Sequence, residues 1–221
     1  MSHSAITESP SQIDNRAKIF EAAEELFGKH GFSATSLRAI TAEAGVNLAS
    51  VNYYFGSKDQ LIVEVLSRAI GPLNEQRLAL LGKARRAYPS GPIPLPEILN
   101  AILRPCLEMA FDPGRQSTFR LLGRSLSEEG NFIGQVIERE WTPLIGKFME
   151  ALRETLPTIP ESEIYWRIHF TVGALIHLSC HHRDLPLLSN GLCQADIESS
   201  LARLIDYASA GLQSAASRPQ P

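Results

Sequence analysis

The stretch "GVNLASVNYYFGSKDQL", residues 45–61, places two asparagines and two adjacent tyrosines on one short segment. Asn47 has the side chain of a helix N-cap, and Gly56 can end the helix because glycine tolerates a left-handed backbone. Val51 and Phe55, four residues apart, fall on one face of the helix that these two residues delimit. The pattern predicts a short helix that buries one face and presents polar side chains on the other.

The segments on both sides of this stretch also show helical periodicity. Apolar residues recur at helical spacing over residues 13–30, and Thr35 is predicted to cap a second short helix that ends at Gly45. Ser57, followed three residues later by Gln60, has the form of a capping box and predicts a fourth helix. A helix, a short turn that contains glycine and a second helix form the helix-turn-helix, whose second helix enters the DNA major groove.

The rest of the sequence predicts helices and loops. Residues 88–97 are rich in proline and glycine and are predicted to be a loop. Pro143 predicts a kink in the helix that contains it, because proline has no backbone N–H to donate. The fold is therefore predicted to be all-α, with later helices at about 95–110, 115–128, 131–156, 161–182 and 194–213.

Four regions are expected along the chain. Residues 1–11 and 214–221 are small and polar and contain proline, which is typical of disordered tails. Residues 12–58 are expected to form the helix-turn-helix DNA-binding domain. Residues 59–213 are expected to form a helical domain for ligand binding and dimerisation.

Composition and charge exclude several classes of protein. The 221-residue chain is 44% hydrophobic and 20% charged, which is typical of a globular protein with a substantial core. Its three cysteines lack CxxC spacing, which disfavours a disulfide framework or a zinc knuckle and favours a reducing cytoplasm. The N-terminus lacks the order of a signal peptide, and no apolar run approaches the roughly 18 residues that span a bilayer. We expect no membrane association, no metal and no cofactor.

Charge gives no support for strong non-specific binding of nucleic acid. The formal net charge is −3, and residues 12–58 contain five basic and five acidic side chains. A neutral domain is expected to bind DNA weakly in general and to depend on specific contacts.

Residues 16–62, "RAKIFEAAEELFGKHGFSATSLRAITAEAGVNLASVNYYFGSKDQLI", resemble the DNA-binding domain of the TetR family of bacterial one-component repressors. The resemblance runs from A-A-x-x-L-F through G-F-x-x-T-S and I-x-x-x-A-G-V to Y-F-x-S-K. The stretch "GVNLASVNYYFGSK" and residues 165–178, "YWRIHFTVGALIHL", also resemble the fatty-acid-responsive, PsrA-like branch. At the start of the recognition helix, Asn47, Leu48 and Ala49 replace the commoner Ser or Thr pattern, which leaves the operator sequence open.

The predicted DNA contacts divide by chemistry. Asparagine and serine side chains on the second helix can bond base edges, whereas Tyr54 and Lys58 at its far end suit phosphate oxygens. The first turn of the preceding helix offers free backbone N–H groups to another phosphate. The predicted DNA-binding residues are Thr35, Ser36, Arg38, Asn47, Leu48, Ala49, Ser50, Asn52, Tyr53, Tyr54 and Lys58.

The C-terminal region is dense in aromatic and aliphatic residues. The predicted ligand-binding residues are Phe111, Phe119, Arg120, Trp141, Trp166, His169 and Phe170. Whether His169 is a pocket residue or an ordinary core histidine stays open. The helix at 161–182 is apolar nearly all round and the last helix has a clean apolar stripe, so the two are predicted to form a four-helix bundle with a partner subunit. The predicted dimer interface is Ile168, Val172, Leu175, Ile176, Leu201, Leu204, Ile205 and Ala208.

These observations predict a homodimeric repressor, not an enzyme, that binds a palindromic double-stranded operator and is released by a small apolar effector. The resemblance implies a fatty acid or acyl thioester, whose carboxylate would need a partner such as Arg120, Arg124, Arg167 or His169. A planar aromatic effector stacked on Trp141 or Trp166 is the alternative ligand. Two alternative functions remain. One is an activator, or a DNA-binding protein that needs its ligand as co-repressor, and the other is a small-molecule or lipid carrier that has lost DNA binding.

Overall fold

The computed structural model describes residues 10–125 and 128–215, and every regular element in those ranges is a helix, which confirms the all-α prediction. The predicted arm and tail lie mostly outside these ranges, at residues 1–9 and 216–221, and Pro10 already begins the first helix. The helices are α1 (Pro10–His30), α2 (Leu37–Ala44), α3 (Leu48–Phe55), α4 (Lys58–Ala87), α5 (Leu95–Phe111), α6 (Gln116–Ser125), α7 (Phe132–Val136), α8 (Thr142–Thr155), α9 (Glu161–His181), α10 (Leu185–Leu188) and α11 (Ile197–Gln213).

The first compact unit contains the chain up to Ile70 together with Ser117–Glu140. Its apolar core draws fully buried side chains from successive helices, because each short amphipathic helix must bury its apolar stripe against the others. Phe32, in the loop after α1, also belongs to this core, with its ring centroid 5.3 Å from that of Phe27 and 5.1 Å from that of Phe132. The core residues include Ile19, Phe27, Ile40, Val51, Leu61 and Leu66.

Residues 117–140 join this unit through contacts that the sequence does not reveal. The Thr118 hydroxyl donates to Glu24 Oε1 over 3.3 Å, and the Ser33 N–H donates to Glu128 Oε2 over 3.0 Å. The predicted domain boundary between residues 58 and 59 falls at the start of α4, whereas the compact unit extends to Ile70 and recruits this distant segment. Phe119 and Arg120 therefore belong to the first unit.

The turn between α2 and α3 is fixed by two backbone hydrogen bonds. Gly45 has φ +66° and ψ +32°, its N–H donates to the Ala42 carbonyl over 3.3 Å, and the Val46 N–H donates to the Thr41 carbonyl over 3.0 Å. This pair of bonds is the Schellman motif, which satisfies the last carbonyls of α2. Asn47 then caps α3 as predicted, since its Oδ1 accepts from the Ser50 N–H over 2.9 Å.

The cap of α2 differs from the prediction. Ser36 is the N-cap, with its hydroxyl accepting from the Ala39 N–H over 3.1 Å. Thr35 is buried and its hydroxyl donates to the carbonyls of Leu26 and Gly31. Thr35 therefore ties the loop to the end of α1, because its position one residue earlier points it into the core.

The second compact unit contains Gly71–Gln116 and the chain from Trp141 onward. Its centre is α5, whose apolar side chains Ile98, Leu99, Leu103 and Leu107 are fully buried. α5 packs against α11, α9 and α8, and the core cluster includes Leu204 and Leu212 from α11.

The predicted helix at 131–156 is divided. α7 ends at Val136, a π-helical turn follows over Ile137–Trp141, and α8 begins at Thr142. Pro143 has no N–H to donate to the carbonyl four residues earlier, so the helix changes its hydrogen-bond register at this point.

We expect Gly45→Ala to destabilise the first unit. An added Cβ would meet no atom within 4 Å, so the cost comes from the left-handed backbone and is about 1–2 kcal/mol in the free energy of unfolding. Chemical denaturation, with hydrogen exchange of the α2 and α3 amides, measures this loss. Gly123→Ala in α6 is the control, since it also meets no atom within 4 Å but has no positive φ and should raise stability by about 0.5–1 kcal/mol. Equal effects of the two substitutions would contradict the assignment.

Candidate nucleic-acid interface

α3 has one buried face and one face in solvent, as its sequence predicts. Val51 and Phe55 are buried in the first unit, whereas Asn52 is exposed and Tyr53 is 66% exposed. Gly56 ends the helix with φ +75°, and its N–H donates to the Asn52 carbonyl over 3.0 Å. The exposed side chains of the helix and its cap are Asn47, Leu48, Ala49, Asn52 and Tyr53.

Two polar side chains at the start of α3 are bonded to each other. Asn47 Oδ1 accepts from both the N–H and the hydroxyl of Ser50, over 2.9 and 3.1 Å. The amide nitrogen of Asn47 is left for another partner, and Ser50 retains only acceptor capacity while this bond persists. The asparagine therefore orients the start of the helix and also presents donors on its surface.

A cation lies near the start of α2. Lys58, the first residue of α4, donates from Nζ to the Ser33 carbonyl over 3.4 Å. Ser36 and Arg38, at the N-terminus of α2, are both exposed. Free N–H groups at a helix start, a lysine and an arginine form an arrangement that suits a phosphate group. Thr35 is buried and Ser36 is the N-cap, so the backbone N–H groups predicted for a phosphate are those that follow Ser36.

Tyr53 and Tyr54 form an edge-to-face pair with ring centroids 5.0 Å apart. Tyr54 is half-buried and Tyr53 is exposed. Tyr54 is held in place by the side chains around it, whereas Tyr53 has most of its side chain in solvent.

The predicted ligand-binding residues are divided between the two compact units. Phe119 and Arg120 lie in the first unit, and Arg120 is exposed. Phe111 and Trp141 are half-buried against the core of the second unit, and Phe111 stacks on His182 with centroids 4.0 Å apart. Trp166, His169 and Phe170 are exposed on α9, and their role in ligand binding stays a prediction.

Three of the exposed aromatic rings on α9 and α11 form what we call the aromatic face: Trp166 and Phe170 on α9 and Tyr207 on α11. The rings of Trp166 and Phe170 stack with centroids 5.8 Å apart, and Phe170 is 63% exposed. A surface cavity of about 450 Å³ adjoins Phe170 and Tyr207 between the two helices.

Half of the predicted dimer interface is instead the core of the chain itself. Leu175, Leu201, Leu204 and Ala208 are buried in the second unit and have little surface to offer a partner. Ile168 and Ile205 are half-buried against that core, and Val172 and Ile176 are half-buried on α9. Periodicity finds an apolar stripe but does not distinguish a stripe that meets its own chain from one that meets another.

None of the helices in the described ranges is long and apolar enough to cross a bilayer. Within residues 10–125 and 128–215, no three His, Cys, Asp or Glu side chains are grouped as metal ligands. His181 and His182 have other contacts, since the ring of His181 stacks on that of His177.

Both parts of the chain match known protein families. Residues 19–65 match the family described as "Bacterial regulatory proteins, tetR family". Residues 100–211 match "Tetracyclin repressor-like, C-terminal domain".

Curated relatives and solved structures agree with these matches. RaaS, an HTH-type transcriptional regulatory protein of Mycobacterium tuberculosis, is 56% identical over 51 residues, covering 23% of this chain and 24% of RaaS. The HTH-type transcriptional dual regulator CecR of Shigella flexneri is 33% identical over 94 residues, covering 42% of each chain. The chain thus aligns with less than half the length of these relatives.

The fold is similar to that of NalD, the secondary repressor of the MexAB-OprM multidrug efflux pump in Pseudomonas aeruginosa. The similarity covers 92% of this chain and 98% of NalD, with a TM-score of 0.59 and 20% sequence identity. At this identity the likeness concerns the fold alone.

Proposed function

This chain belongs to the tetR family of bacterial regulatory proteins, and from that premise we propose that it is a repressor that binds a palindromic operator as a homodimer and leaves it when a small apolar effector binds. Members of the family are transcription regulators, which confirms the prediction that the chain is not an enzyme. The observation that carries the proposal is α3, a capped helix with an exposed polar face beside Lys58 and the start of α2.

In this proposal, α3 enters the major groove and its exposed residues touch base edges. Asn52 supplies an amide suited to adenine, and Ala49 allows close approach. Lys58, Arg38, Ser36 and the N–H groups of α2 hold the backbone phosphates, with Tyr54 at the far end of α3. Since its target is chromosomal, we place the protein in the bacterial cytoplasm.

We place the dimer contact on the aromatic face and not on the buried stripe of α11. Trp166, Phe170 and Tyr207 leave large apolar surfaces in water, and such patches on helical proteins mark sites of association. Two helices from each subunit then form a four-helix bundle about a two-fold axis, and the two α3 helices meet equivalent half-sites.

The proposed effector is a long apolar molecule with one polar head, a fatty acid or acyl thioester, as the resemblance to the PsrA-like branch implies. Its binding in the second unit would displace α4, a helix continuous from Lys58 to Ala87, and change the spacing of the two recognition helices. A second candidate is regulation in both directions, favoured by the similarity to CecR, which is a dual regulator. Reporter transcription with the operator upstream or downstream of the promoter separates the two.

We expect Lys58→Ala to weaken binding to every DNA sequence alike, because a phosphate contact carries no base information. The slope of log affinity against log salt should fall by about one per subunit. Fluorescence anisotropy with the protein's own upstream DNA at several salt concentrations measures both. Lys83→Ala, in the same helix but in the second unit, is the control. A wild-type salt slope for Lys58→Ala would contradict its proposed contact with a phosphate.

We expect Asn52→Ala, in contrast, to change base preference by about 1–3 kcal/mol at one position of each half-site.

We expect Phe170→Asp to give a folded monomer. The side chain is exposed in a single chain, so the charge costs little there, but it would be buried unpaired in the dimer at about 3–5 kcal/mol. Sedimentation velocity and thermal melting measure the outcome. Leu204→Asp should unfold the second unit, since Leu204 is only 6% exposed, and Leu187→Asp on α10 should leave a stable dimer. A Phe170→Asp dimer with wild-type affinity would move the interface elsewhere.

We expect release from the operator to require less fatty acid as the chain lengthens, by about fourfold for each added methylene that is buried in the complex. Titration of saturated acids and their thioesters against the operator-bound dimer gives the dependence. Release by flat polycyclic compounds, with no release by an acyl chain of any length, would contradict the acyl effector. The proposed repressor function would be unaffected.

A further inference from the structure

The second unit buries an arginine in the middle of α4. Arg77 is 6% exposed, its Nε donates to the Ile102 carbonyl over 3.1 Å, and its Nη1 donates to Asn74 Oδ1 over 2.8 Å. The guanidinium carbon lies 5.5 Å from the centre of the Trp141 ring. The charge is thus enclosed by α5, by Trp141 before α8 and by its own helix.

No carboxylate balances this charge within residues 10–125 and 128–215. The hydrogen bonds of Arg77 there go to neutral oxygens, and its Nη2 makes none. Arg167, which is also largely buried, lies 3.4 Å from the carboxylate of Glu163 and donates to the Leu212 and Ser214 carbonyls. Buried charges in proteins are normally paired, because the loss of hydration costs several kcal/mol per ion.

The neighbouring thiol does not supply the missing charge. Burial raises the pKa of Cys106, and the nearby Arg77 only partly offsets that effect, so the thiol is protonated near neutral pH. Burial also lowers the pKa of Arg77, but a guanidinium starts so high that it remains charged. The site therefore holds an unbalanced positive charge.

A second buried polar group lies in the same place. The hydroxyl of Ser179, buried in α9, has the weakly polar thiol of Cys106 beside it as its hydrogen-bond partner. Around these groups, Ile102, Cys106 and Trp141 are half-buried apolar side chains at the border of the core. A few convergent polar groups in an apolar surrounding are typical of a small-molecule site.

We propose that Arg77 binds the carboxylate of an acidic effector whose apolar part lies against Ile102, Cys106 and Trp141. The inference rests on the proposed effector-responsive function and names the group that recognises the ligand. The two oxygens of a carboxylate match the fork of a guanidinium, and Nη2 still has its donors to offer. The residues that the sequence suggested for this role are less suited, since Arg120, Arg124 and His169 are exposed and Arg167 is paired.

The test compares dodecanoate with dodecan-1-ol, which share a chain and differ in charge, by calorimetric titration of the full-length protein without DNA. The wild-type protein should bind the acid about tenfold to a hundredfold more tightly than the alcohol. Arg77→Gln should bind both with equal affinity and should bind the operator, without effector, within twofold of wild type. Arg77→Met, which removes the donors as well, should also lose the preference and should melt no lower than wild type, because an unbalanced buried charge has been removed.

Arg167→Gln is the matched control, since it changes another largely buried arginine in the same unit. It should keep the preference for the acid and should lower the melting temperature, because Arg167 has a carboxylate partner. A wild-type protein with no preference for the acid, or an Arg77→Gln variant that keeps it, would overturn the inference. In either case, operator binding with release by an uncharged amphiphile would leave the repressor function standing. Loss of the preference in Arg77→Gln without operator binding by any of the proteins would refute the repressor and retain the site.

Discussion

The left-handed backbone of Gly45 is the constraint on which the exposed polar face of α3, the proposed DNA-binding surface, depends. α2 and α3 have eight residues each and are too short to be stable alone. They are stabilised because their buried sides pack against α1. The chain must reverse between them without leaving a buried carbonyl unsatisfied. The two bonds at Gly45 and Val46 achieve this, and the Asn47 cap starts the next helix at once. The side chains of α3 are therefore presented in one orientation.

That orientation is important because residues 12–58 have no excess of positive charge to attract DNA. Because residues 12–58 carry as many acidic as basic side chains, general attraction to DNA contributes little. In the proposed complex, affinity for DNA then depends on a few groups held in the correct places, with oriented backbone N–H groups in place of extra lysines. Accurate positioning compensates for low charge.

Sequence predicted the features of this surface that are local. Helix caps, glycine turns and a buried stripe depend on residues within a few positions of one another, so Asn47, Gly45 and the bounds of α3 could be inferred. Long-range packing could not, because nothing near Thr118 or Glu128 indicates that 117–140 joins the first unit. The stripe of α11 was visible, but Leu201 and Leu204 meet α5 within the same chain. Arg77 was missed for the same reason, since a single arginine in a helix gives no signal of burial.

The exposed rings of the aromatic face affect how fast the protein is degraded in the cell. A newly made chain carries Trp166, Phe170 and Tyr207 in water until something covers them. Exposed rings of this kind are the feature by which chaperones and proteases recognise incompletely folded chains, so an unpaired copy is exposed to quality control. If the aromatic face is the dimer contact proposed above, the steady level of the protein depends on how often two copies meet as well as on the rate of synthesis. At low expression, turnover would rise and the amount available for the chromosome would fall faster than translation does.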